Sequence, residues 1–204
     1  MVLTLLDNVR SRLVVLTPGK KGWATSSIEG LPEQGSIRVW EEDSDSSDAY
    51  FLQFSDYVTP STLARGVIGE GEAETLKQLP PFFDATGLVI SQHEAVSADG
   101  TRIPYFQVAR EDMELDGTTP TLLYGYGGFE VSLLPGYRAS VGISWLEKGG
   151  VYAVANIRGG GEFGPRWHQA ALKEKRPRAY EDFIAVGEDL VNRGVTAVPH
   201  LGIA

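Results

Sequence analysis

The 204-residue sequence contains no cysteine, which excludes a disulfide and any thiolate metal site and fits a reducing compartment. Its three histidines, His93, His168 and His200, lie far apart, so no histidine metal cluster is expected and no cofactor is implied. No apolar run reaches the roughly 20 residues of a membrane-spanning helix. The first residues, Met1 to Asp7, carry neither a basic region nor a small-residue cleavage site, so no secretory signal is legible. Basic residues are outnumbered 18 to 27 by acidic ones, and the formal charge of −9 excludes a general nucleic-acid role. With 42% hydrophobic and 22% charged residues, the composition is that of a soluble globular protein.

Glycine is abundant, and it is concentrated where the pattern is most informative. Thr121 to Tyr124 is an apolar run bounded by Pro120 and Gly125, as in a buried strand. Gly125, Gly127 and Gly128 follow, interleaved with Tyr124, Tyr126 and Phe129, more aromatic surface than an ordinary turn needs. Tyr137 to Lys148 has helical spacing at Val141, Trp145 and Leu146 and is ended by Gly149-Gly150. Val151 to Ala155 reads as a central parallel strand, and Asn156 to Gly164 as a second glycine loop. Two glycine loops that each follow a strand lie where open α/β sheets bind ligands. Neither loop has the spacing of a dinucleotide or phosphate-binding motif.

The strings Tyr124-Gly-Tyr-Gly-Gly-Phe129 and Ala153-Val-Ala-Asn-Ile-Arg-Gly-Gly-Gly-Glu-Phe-Gly164, with Trp167-His168 and Glu181-Asp182-Phe183, resemble the prolyl oligopeptidase family of serine peptidases. The resemblance covers residues 87 to 204 well and the first 80 loosely. It implies an α/β fold, namely an incomplete α/β-hydrolase domain preceded by an all-β segment resembling β-propeller blades. It also implies a peptidase that cleaves short peptides after proline through an acyl-enzyme. The alternatives are an oligopeptidase that cleaves after basic residues, and a non-catalytic fragment or pseudoenzyme. By resemblance, the Tyr126 hydroxyl stabilises the oxyanion and Phe129 lines the pocket that receives the substrate proline. Arg158 and Glu162, in the second loop, are expected to pair and fix it, the alternative being contact with the peptide. Trp167 and His168 match the family pattern without a chemical step.

In chain order, Arg12 to Thr17, Ser36 to Trp40 and Ala49 to Phe54 read as strands, with an exposed acidic turn at Glu41 to Asp48. They suggest a sandwich or propeller blades, and the resemblance implies one or two blades of a propeller. Glu70 to Asp84, acidic and then carrying Pro80-Pro81, reads as the connecting stretch. The division expected is a propeller-like segment at 1–78, a linker at 79–86 and the peptidase segment at 87–204. Leu88 to Val96 and Ile103 to Val108 form a hairpin about Asp99-Gly100. Trp167 to Leu172 suits a short helix, and Lys173 to Arg178 a basic loop. Tyr180 to Arg193 is an amphipathic helix with Phe183, Ile184, Leu190 and Val191 on one face. His200 to Ala204 begins a further strand.

An α/β-hydrolase carries its nucleophile on a Gly-x-Ser-x-Gly turn after a strand, with acid and histidine later in the chain. That motif is absent. Ser97, Ser132 and Ser140 lack the elbow and, like the histidines, read as surface or packing residues. The sequence is therefore expected to be an internal piece of a longer peptidase, with nucleophile, acid and base outside it. Such a piece is expected to be inactive alone. The expected partners are short proline-containing peptides, with no nucleic acid and no membrane. The expected state is a full-length monomer in the cytoplasm, with the periplasm as the other compartment.

Overall fold

The computed structural model describes all 204 residues. They form mostly β-sheet with few helices and divide into two compact units. One comprises residues 1–81 and 134–137, the other 82–133 and 138–204. No helix is long and apolar enough to cross a membrane.

The first unit holds two antiparallel meanders. The three-stranded sheet runs β1 (Val2–Asp7), β2 (Arg10–Gly19) and β3 (Gly22–Ser26). Asp7 pairs with Arg10 across Asn8 and Val9, which both have positive φ, the turn whose twist matches a tight hairpin. Val9 is a β-branched residue in that unfavourable region, but it is fully buried. The four-stranded sheet runs β4 (Ser36–Glu41), β5 (Ala49–Ser55), β6 (Thr62–Val67) and β7 (Glu74–Gln78). Alternate residues of these strands turn inward, and Leu13, Ile37, Tyr50, Leu52 and Ala64 make the core. The Tyr50 ring lies over Gly66, where a Cβ would sit 2.5 Å from the hydroxyl. The acidic stretch read as a connection from Glu70 thus contributes an edge strand. Its residues 74 to 78 are all exposed, so no alternation of apolar residues announces it.

The second unit is a mixed five-stranded sheet with helices. Its strands are β8 (Leu88–Val96), β9 (Arg102–Arg110), β10 (Thr121–Gly125), β11 (Val151–Ala155) and β12 (Leu201–Ile203), in the spatial order β12-β10-β11-β9-β8. β12, β10 and β11 are parallel, whereas β9 is antiparallel to both β11 and β8. Seven consecutive residues of β9 and all of β11 are buried, as befits strands covered on both faces. The hairpin turns at Asp99-Gly100, with Gly100 at φ 83°.

The stretch 137–148 is helical only in part: α1 (Ala139–Ser144) gives way to a 3-10 turn at Leu146–Lys148, which ends on left-handed Gly149. Gly142 interrupts helix propensity there and presses on the Phe83 ring, where no side chain would fit. α2 (Pro165–Gln169) is short. α3 (Pro177–Asn192) begins three residues before the expected start, with a proline in its first turn. Its packed face also differs from expectation. Ala179, Asp182, Val186 and Leu190 are buried, while Ile184 is 57% exposed. Small residues let the helix lie close to the sheet, and an ion pair, described below, takes the place of an apolar contact.

Candidate active site

The carboxyl ends of the three parallel strands, β12, β10 and β11, lie side by side, and the two glycine loops leave from β10 and β11. The loops pack backbone against backbone. Glu130 N–H donates to the Gly159 carbonyl at 3.3 Å, and a Cβ on Gly159 would collide with the Gly127 carbonyl. A Cβ on Gly127 would lie 2.5 Å from the Ile157 side chain. Gly127 and Gly159 both have positive φ, 56° and 99°. At these two positions glycine is required by conformation and by space.

Tyr126 begins the first loop and is 42% exposed. It lines an open cavity of about 470 Å³ with Gly125, Ile157, Arg176, Phe183 and Ala204 among its walls. The cavity thus joins the phenol, one guanidinium and the end of β12 over a largely apolar floor, in the size range of small-ligand sites. Phe129 stands 86% exposed, with φ 53°. Phe163 of the second loop, 45% exposed, meets Trp167 edge-on at 4.8 Å. Trp167 Nε1–H donates to the Ile157 carbonyl, and His168 Nδ1 lies 2.6 Å from the Gly159 carbonyl. Both residues therefore hold the second loop.

Arg158 and Glu162 do not pair. Arg158 is buried and turns toward α3. Its Nε and Nη2 reach Asp182 at 2.9 and 2.6 Å, and its Nη1 reaches Asp99 Oδ2 at 2.5 Å. The Arg158 backbone N–H and the Ser97 hydroxyl also donate to Asp182, which has no exposed surface. Hydrogen bonds donated to Asp182 and Asp99 push the guanidinium pKa up, and Arg158 in turn holds Asp99 well below the usual carboxylate range. This cluster ties the second glycine loop to the hairpin turn and to α3.

Glu162 turns the other way. Its Oε1 accepts from Leu133 N–H at 3.0 Å and from Asn156 Nδ2 at 3.3 Å, while Oε2 and the Asn156 Oδ1 are buried without partners. Burial raises its pKa above the ordinary 4.5. A carboxyl whose folded pKa is raised leaves stability intact below pH 4.5 and erodes it as pH rises through the folded value. Glu162→Gln is therefore expected to be at least as stable as the parent at pH 7 and to remove that part of the slope. Urea midpoints between pH 4 and 8 test this, and an unchanged slope in the variant sinks it.

Of the remaining candidates, Ser97 is held by Asp182 and lies within the ion cluster. His93 Nε2 is 2.8 Å from the Ser91 hydroxyl and 3.2 Å from Arg193 Nη2. Burial first, then the Arg193 charge, pushes its pKa down. The pair belongs to a packing network in which Arg193 also reaches Tyr105 and Gln107, and Tyr105 donates to Asp189. The site residues that sequence reasoning passes over are Arg176, Asp182 and Asp99. An aspartate on the inward stripe of a helix, with an arginine in a neighbouring loop, is the one signal that points to such a pair.

Comparison with known proteins adds a third line. Residues 137–204 match the model of the prolyl oligopeptidase family. The chain is 49% identical over 203 residues to an uncharacterised peptidase of Sinorhizobium fredii, with all of this chain aligned to 28% of that protein. It is 37% identical over 174 residues to a prolyl endopeptidase of Elizabethkingia miricola, 85% of this chain and 24% of that one. A solved post-proline cleaving enzyme from Rickettsia typhi superposes with a TM-score of 0.83 at 35% identity, over 99% of this chain and 29% of that one. The chain thus spans less than a third of the length of each.

Proposed function

The chain belongs to the prolyl oligopeptidase family, and from that premise we propose that it serves as part of a serine-type peptidase that cleaves short peptides on the carboxyl side of proline. Residues 87–204 act as the first part of an α/β-hydrolase domain, 1–78 as propeller blades and 79–86 as the linker between them. The meander β4 to β7 supports the blade assignment, and the parallel strands β12, β10 and β11 support the hydrolase assignment.

One observation carries the mechanism: Tyr126 and the end of β12 share a cavity. In an α/β-hydrolase the nucleophile stands on a turn that directly follows a strand, and one oxyanion donor comes from the loop after the third strand. β10 is the third strand of this sheet in chain order, and its loop begins with Tyr126. A serine on a turn after β12 attacks the peptide carbonyl within reach of the phenol. The Tyr126 hydroxyl donates to the oxygen as it becomes negative. The amine leaves, and water resolves the acyl-enzyme. Phe129 offers an apolar wall to the proline ring. The chain supplies neither nucleophile, acid nor base, so alone it does not turn over.

A fluorophosphonate probe with peptide mapping tests this reading. Within a polypeptide of the relatives' length, one serine adduct is expected, with product peptides ending in proline; the 204-residue chain alone takes no adduct. Products ending in lysine or arginine overturn the proline preference, and absence of an adduct in the long polypeptide overturns serine chemistry.

A further inference from the structure

We propose that Arg176 is a positioning residue for the Tyr126 hydroxyl. The inference rests on the oxyanion role proposed for that tyrosine.

Arg176 lies at the junction of the two glycine loops. Its Nη1 donates to the Gly127 carbonyl, and a Cβ on Gly159 of the second loop would lie 3.0 Å from the same nitrogen. The guanidinium carbon lies over the Tyr180 ring, 5.4 Å from its centre, a second contact that holds the side chain. Tyr180 and Arg176 both line the cavity that holds Tyr126.

The connection to the phenol runs through one peptide. Gly127 has no side chain to restrain it and sits at φ 56°, so its carbonyl direction depends on what holds the oxygen. Arg176 holds it from one side, and the bare Cα of Gly159 lets it approach from the other. Gly127 is bonded to Tyr126, and the next residue, Gly128, has no side chain where a Cβ would stand 3.5 Å from the ring. Arg176 therefore fixes the backbone that directly follows Tyr126 and so directs its hydroxyl. A misplacement of a donor by about 1 Å lowers a rate by up to ~10²-fold.

A double-mutant cycle in the full-length peptidase separates this role from general support of the fold. Tyr126→Phe is expected to lower kcat about 10²–10³-fold. Arg176→Met is expected to lower kcat about tenfold while KM moves less than about twofold. In the Tyr126→Phe background the same arginine change should alter kcat by less than about twofold, because the hydroxyl it directs is gone. Arg176→Lys, which retains a donor without the planar fork, should recover part of the loss; if Arg176→Met does not fold, this variant takes its place in the cycle. Equal effects of the arginine change in both backgrounds overturn the inference while leaving the role of Tyr126 intact. A Tyr126→Phe enzyme with the parental kcat overturns that role and the inference with it.

Discussion

Replacing Asp182 with alanine is expected to lower stability by about 3–5 kcal/mol, the usual penalty for leaving one partner of a buried ion pair alone. Asp182 receives Arg158 through Nε, Nη2 and the backbone N–H, and also the Ser97 hydroxyl. Their side chains are 0% and 4% exposed, so water cannot replace the lost carboxylate without opening the structure. Asp99 remains, but it approaches the guanidinium from a surface position and leaves the inner edge unpaired. Asp182→Asn keeps the shape and some acceptors, and its loss should be smaller. Urea unfolding followed by circular dichroism measures both. A loss of less than about 1 kcal/mol in Asp182→Ala would mean that the cluster is already hydrated.

The second large effect is expected at Gly159. Alanine there meets two penalties at once: a φ of 99° and a Cβ driven against the Gly127 carbonyl. Positive φ in a non-glycine residue costs about 1–3 kcal/mol, and overpacking in a close contact adds about 1–3. The neighbouring atom is backbone, so no side chain can swing away. Gly159→Ala should therefore lose about 2–6 kcal/mol and separate the two loops. Gly69→Ala is the control for φ alone, since Gly69 has φ 90° and nothing within 4 Å. Similar losses at the two positions would show that conformation, and not the contact between loops, sets the requirement at Gly159.

These two residues also show where the sequence was legible. The strand–glycine–strand–glycine rhythm around residues 121 to 164 reads directly, because buried strands are apolar and the loops need glycine. The hairpin about Asp99-Gly100 reads equally well. What escaped has no local signature. β1, β3 and β7 are almost wholly exposed and carry no alternation of apolar residues. Arg158 and Glu162 looked like partners because they are opposite charges in one short loop, but proximity in sequence predicts contact only on a regular element. Between them Gly159 turns the chain, so one side chain enters the interior beside α3 and the other enters the first loop. The true partner of Arg158, Asp182, was in view only within the string Glu181-Asp182-Phe183. Its burial depends on the small residues around it, which let α3 lie close to the sheet, and that is a tertiary fact.

The order of the five-stranded sheet has a consequence for how the chain assembles. β8 and β9 close through a tight turn and can pair as soon as they exist. β10 and β11 are joined by a short helix. β12 finds β10 only when residue 201 returns to residue 121, after β11 and α3 have been made. The entropy of closing a loop rises slowly with its length, but it precedes any reward from the pairing. The strand whose end shares a cavity with Tyr126 therefore pairs across the longest loop in the sheet.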